Sequence, residues 1–260
     1  MEESMNVGNF PEVRRALLLA CACAPFGAAH AQGSTTEVQA GGRAGRIEGS
    51  GTVIDDARSP GPFTRLVVNG PMEVRVRAAD TDSVTVHADD NIAPLIETVV
   101  QAGTLTVGLR PGSSFRTRTK LQVRLRARRL EAVVLRGSGD VRVDRAEADV
   151  FEATLQGSGD IVVERLQAKT VAISLAGNGD VRLSGTAGSV GAVIDGSGDL
   201  HLADLVAQQV AVRIRGSGDA RVHATDDLKV DIDGSGDVRY RGAPNIGKAV
   251  RGAGTVEPLR

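Results

Sequence analysis

Six aspartates recur in one setting. Asp140, Asp160, Asp180, Asp199, Asp219 and Asp237 each close a Gly-x-Gly-Asp tetrapeptide, with serine in the second place of every copy except Asn178. Glycine-rich repeats that carry aspartate bind calcium in β-rolls, so a column of cation-binding carboxylates is the first chemistry to weigh. Those rolls repeat every nine residues or so. Here the first glycines are Gly137, Gly157, Gly177, Gly196, Gly216 and Gly234, spaced by 20, 20, 19, 20 and 18 residues. Carboxylates stacked ~4.8 Å apart would repel their neighbours by about 1 kcal/mol in water. Two residues beyond the aspartates stand Arg142, Arg182, Arg221 and Arg239, with His201 in the equivalent place. The expectation is therefore a structural Asp–Arg ladder rather than a metal site, with a calcium-stabilised adhesive repeat as one alternative.

Other chemistries have less to stand on. Gly-Ser-Gly-Asp looks like a phosphate loop, but neither lysine nor a helical pattern follows it. Beyond the N-terminal segment the histidines are His87, His201 and His223, and no pair of carboxylates stands out from the repeat. No catalytic, cofactor-binding or metal-ligating residue is expected, and no cofactor. A polysaccharide-active enzyme on the same scaffold is the other alternative.

The residues flanking each motif say what must hold it. Four and six residues after the first glycine come Val141, Ile161, Val181, Leu200, Ala220 and Val238, then Val143, Val163, Leu183, Leu202, Val222 and Tyr240. Two residues before it come Leu135, Leu155, Leu175, Ile194, Ile214 and Ile232; four before, Val133, Ala153, Ile173, Ala192, Val212 and Val230. Six before it come Phe151, Val171, Val190, Val210 and Leu228. Offsets of two place each set on one face of a strand. Each repeat reads as two strands joined at a glycine corner, plus a variable return. About 20 residues at ~3.3 Å each make a perimeter near ~60 Å, enough for one coil of a β-helix. The period of two rules out a helical repeat, and a propeller blade needs ~40 residues. Gly252-Ala253-Gly254-Thr255 reads as a degenerate last copy, and Gly49-Ser50-Gly51-Thr52 as a distant early one.

The segment 49–130 is less regular. Alternating strands are expected at Phe63–Asn69, Glu73–Arg77, Ser83–His87, Thr104–Leu109 and Leu121–Arg126. Asn91–Val100 reads as a helical turn or an irregular strand, and Pro111–Thr119 as a loop. Residues 1–31 read as a signal peptide. Arg14 and Arg15 precede the apolar run Ala16–Ala24, Met5 is a possible start, and Ala29-His30-Ala31 is a small-x-small cleavage site. Lipidation at Cys21 is a rival route. Cleavage after Ala31 would leave no cysteine, since Cys21 and Cys23 are the only two. Residues 32–48 read as a flexible leader.

Composition bounds the partners. The chain has 260 residues, 41% of them hydrophobic and 2% aromatic, and a formal net charge of -1. No basic excess exists to attract nucleic acid. With so few aromatics, the core must be built of aliphatic side chains, and stacking platforms for sugars or bases are scarce. No later apolar run reaches the ~20 residues that span a bilayer.

The series of Gly-Ser-Gly-Asp motifs resembles the head GIN domain family, named for auto-transporter adhesins. Phe63, Leu66, Val68, Gly70, Val74, Val76, Asp90-Asn91-Ile92 and Gly103-Thr104-Leu105-Thr106-Val107 carry the same likeness upstream. The resemblance covers about 49–256 and implies an all-β, right-handed parallel β-helix-like solenoid with ~20-residue coils in an exported bacterial protein. In that reading 49–130 is an irregular N-terminal β part and 131–256 holds the regular repeats. The resemblance transfers no catalytic or binding residue. The expected function is a non-catalytic, adhesin-like binding or scaffold module of the periplasm or cell envelope, peripheral to a membrane at most. Its partner would be an envelope protein or a glycan. Open strand edges at the ends of such a coil make a homo-oligomer plausible.

Overall fold

The structure is a computed structural model that describes residues 46–259; the expected signal peptide, and the leader up to residue 45, lie outside the described residues. The chain forms a β-solenoid of about six turns with ~20-residue coils. The apolar columns named above make its interior. Phe151, Leu155, Ile161, Ile173, Leu183, Ile194, Val212 and Val222 are all shut off from solvent and belong to one continuous cluster. The coils are held in parallel register. Gly137 pairs with Gly157, which pairs with Gly177, and the series continues through Gly196, Gly216 and Gly234 to Gly252. The degenerate last copy is thus a true corner.

The expected variable return is itself strand. Ile161–Gly177 and Leu200–Gly216 each run 17 residues around the coil. Register shifts between Val163 and Leu166 and between Arg182 and Gly185 mark where the chain bends. The coil therefore has a third paired face, on which Ala148, Ala168, Ala187, Ala207 and Ala224 stack in one column.

Glycine at the corner is a steric requirement. Gly157 sits at φ +140°, and a β-carbon on it would overlap the carbonyl oxygen of Gly137. A side chain there would meet both a backbone wall and a disfavoured conformation.

Two further coils lie in the segment 49–130, stacked out of chain order. Arg65–Asn69 and Glu73–Ala78 pair in parallel with Ala132–Gly137 and Asp140–Val143 on one side. On the other side they pair with Thr104–Leu109 and Gln122–Ala127. The earliest coil is therefore sandwiched between later ones, and residues 128–131 cross over it as a strap. Gly70-Pro71-Met72-Glu73 occupies the corner of that sandwiched coil, with Glu73 opposite Asp140. The proposed early copy at Gly49 is corrected accordingly. Gly49 packs against the carboxylate of Asp89, where any side chain would collide, and has no place in the corner column. Ile47–Glu48, from the expected leader, pair with Phe115–Arg116 inside the expected loop. Asn91–Val100 holds both anticipated features: a 3-10 turn at Ala93–Leu95 and then a strand, Ile96–Gln101.

Antiparallel strands close the N-terminal end: Val53–Arg58 on Ser83–Asp89, Ser83–Asp89 on Gln122–Ala127, and Ile96–Gln101 on Thr104–Leu109. Arg58 bridges the cap, donating to the carbonyl oxygens of Ala93 and Ile96. Asp89, 1% exposed, accepts hydrogen bonds from the Thr117 and Thr119 hydroxyls, each at 2.6 Å. Those bonds hold its carboxyl below the usual carboxylate range. A depressed folded pKa contributes stability above the unfolded value of about 3.9, lost as pH falls through the folded value. Amide protection at residues 49–52 and 117–119, corrected for the intrinsic pH dependence of exchange, should thus fall on acidification below about pH 4. In an Asp89→Asn variant that acid response should be absent.

Candidate binding surface

The motif aspartates are used by the backbone. The N–H of Asp160 donates to Oδ1 of Asp140 at 3.3 Å, that of Asp180 to Asp160 at 3.1 Å, and that of Asp199 to Asp180 at 3.1 Å. Asp219 donates to Asp199 at 3.0 Å and Asp237 to Asp219 at 2.9 Å. Thr255 ends the series with both its N–H and its hydroxyl on Asp237 Oδ1, which lowers that carboxyl's pKa. The glycine turn displaces the corner amides from the sheet ladder, and the carboxylate of the preceding coil supplies the missing acceptor.

The expected Asp–Arg ladder is corrected in this respect. Among the described residues only Arg239 and His201 stand within 4.0 Å of these carboxylates: Arg239 to Asp219 and Asp237, His201 to Asp180. Exposed pairs of this length are worth at most ~1 kcal/mol. The carboxylates are stabilised by amides at fixed spacing, so chelator is expected to leave the melting temperature unchanged. A fall on chelation, reversed by calcium, would instead revive the calcium-stabilised repeat.

Asp180, Asp199 and His201 bring three ligand-type atoms within 4.8 Å of one another. Their hydrogen bonding opposes a cation. Arg221 Nη1 lies 3.0 Å from His201 Nδ1 and can only donate, so Nδ1 carries the lone pair and a neutral ring holds its proton on Nε2. That proton faces Asp180 Oδ2 at 3.7 Å. Arg221 is thus hydrogen-bonded to His201, while His201 Nε2 lies near Asp180 but beyond hydrogen-bond distance. His87 is likewise engaged, 2.6 Å from Asp55.

A groove of about 700 Å³ lies on the third face. Its floor is the strand backbone at Ala148, Ala168 and Ala187, whose side chains belong to or pack against the core. One wall is Glu147, Gln167 and Thr186, in register with each other. The other is the bend between faces: Asp149, Lys169, Gly188 and Gln208, with Arg128 and Arg129 of the strap at one end. Lys169 Nζ is 2.8 Å from Asp149, and this contact holds the Asp149 carboxyl below its ordinary value. Glu147 is paired with Arg145 at 3.5 Å. Sequence reading singled out none of these groove residues. The signal was present as alanines ten or eleven places after Gly137, Gly157 and Gly177, hidden by the return's irregular length.

Fold and site together define an all-β repeat module of the head GIN kind. The chain belongs to that family: the family model described as "Putative auto-transporter adhesin, head GIN domain" matches residues 62–244. Solved structures share the fold. A "putative adhesin" from Bacteroides fragilis is 22% identical, with a TM-score of 0.78 over 82% of this chain and 100% of its own. A "putative lipid binding protein" from Parabacteroides distasonis is 23% identical, with a TM-score of 0.70 over 83% and 100%. A "putative adhesin" from Parabacteroides merdae is 23% identical, with a TM-score of 0.66 over 83% and 99%. No curated protein matches. No helix among the described residues is long and apolar enough to cross a membrane.

Proposed function

We propose that this chain is an exported, non-catalytic module of the cell envelope, adhesin-like in role, that binds or scaffolds through its solenoid faces. The observation that carries this reading is the use of the motif residues. The corner glycines and all six motif carboxylates serve coil-to-coil contacts, so the most repeated polar groups build a scaffold rather than a reaction centre. Membership in a family named for adhesins supports the same reading. Export is supported by the pattern of residues 1–31. Expression in a Gram-negative host should yield a periplasmic or envelope-bound chain beginning at Gln32, by intact mass and N-terminal sequencing. The purified module should be retained on envelope fractions. Absence of retention, together with turnover of an envelope polymer, would refute the reading.

A further inference from the structure

We propose that the third-face groove holds a linear, polyhydroxylated glycan chain laid along the solenoid axis, and binds it without cleaving it. The inference rests on the binding-module reading and names the ligand class of its groove.

The walls decide the ligand class. A peptide added as a strand needs a free backbone edge. Here Glu147, Ala148, Gln167 and Ala168 are already paired into the parallel ladder on this face. A lipid chain needs an apolar channel, but both walls are polar and the alanines of the floor are packed into or against the core. Nucleic acid needs a run of uncommitted basic groups, whereas Arg128, Arg129 and Lys169 are paired with Asp82, Glu131 and Asp149. What remains is a row of side-chain donors and acceptors repeating once per coil, with Gln167, Thr186 and Gln208 as its uncharged members. Coils rise ~4.8 Å, close to the advance of one ring in an extended hexose polymer. The groove thus offers roughly one set of hydrogen-bonding groups per ring over about three rings.

The carboxylates decide against cleavage. Glycoside hydrolysis requires one carboxyl kept protonated opposite an ionised one. Asp149 is held ionised by Lys169, and Glu147 is paired with Arg145. Neither is placed in the apolar pocket that keeps a carboxylic acid neutral.

The test uses affinity electrophoresis of the full chain through gels containing soluble linear polysaccharides: a neutral glucan, a neutral mannan and a polyuronate. At least one should retard the protein. A Gln167→Ala/Gln208→Ala double variant, altered only at exposed positions, should bind about tenfold more weakly, two net hydrogen bonds being lost. Its melting temperature should be unchanged, an Arg142→Ala control on another face should bind as the parent does, and no new reducing ends should form. Retardation that survives the double variant would overturn the groove assignment. New reducing ends would overturn the non-cleaving role. If no polysaccharide retards a chain that still adheres to intact envelopes, the glycan is wrong and the binding-module reading stands. If the chain adheres to neither, both fall.

Discussion

Replacing Gly157 by alanine is expected to cost about 3 kcal/mol or more of folding stability. Two penalties act at once: a φ of +140° that L-residues avoid, and a β-carbon that overlaps the Gly137 carbonyl oxygen. The overlap cannot relax cheaply, because that carbonyl already accepts the amide of Ser158 at 3.0 Å. Moving it would spread the distortion to the coils on either side. Urea unfolding followed by far-ultraviolet circular dichroism should show the loss. Ser158→Ala, one residue away and exposed, should stay within about 0.5 kcal/mol of the parent. Equal effects at the two positions would show that the corner is not the constraint described.

Phe151→Ala should be the most damaging single truncation in the core, at about 3–5 kcal/mol. Phe151 is the largest of the fully buried side chains. It begins the column that continues through Val171, Val190, Val210 and Leu228. One coil earlier the equivalent position is Glu131, in the strap, whose carbonyl oxygen accepts the Glu152 amide at 2.8 Å. The ring thus fills the place where the column loses its next aliphatic partner. Phe151→Leu should recover most of the loss in the same denaturation experiment, since it restores volume without restoring the ring.

Much of this architecture was legible in the residues, because a solenoid repeats its physics. The columns through Val141, Val143, Leu135 and Val133 are buried as their two-residue offsets require. The strand expected at Thr104–Leu109 is found with the same ends. Three things were hidden, each for its own reason. Gly70-Pro71-Met72-Glu73 does a corner's work without the corner's spelling, and its Glu73 is paired with Arg75 and Lys120, each at 2.6 Å, instead of an amide of the next coil. The layer order was hidden because periodicity reports which residues share a column but not which coil lies next to which. The groove was hidden because it forms between columns, from side chains that share no pattern until the register is known.

The displaced layer bears on how the molecule would carry a load. Coils beyond residue 146 follow one another in chain order, so tension on the C-terminal end can peel them singly. Each ~20-residue coil would release ~65 Å of extended chain. At the other end the coil 65–78 is clamped between 104–127 and 132–143, with the strap across it. That coil cannot leave until its neighbours have been pulled away. A tether pulled from both ends would therefore lengthen stepwise from the C-terminal side and hold fast at the N-terminal side, absorbing work before it lets go.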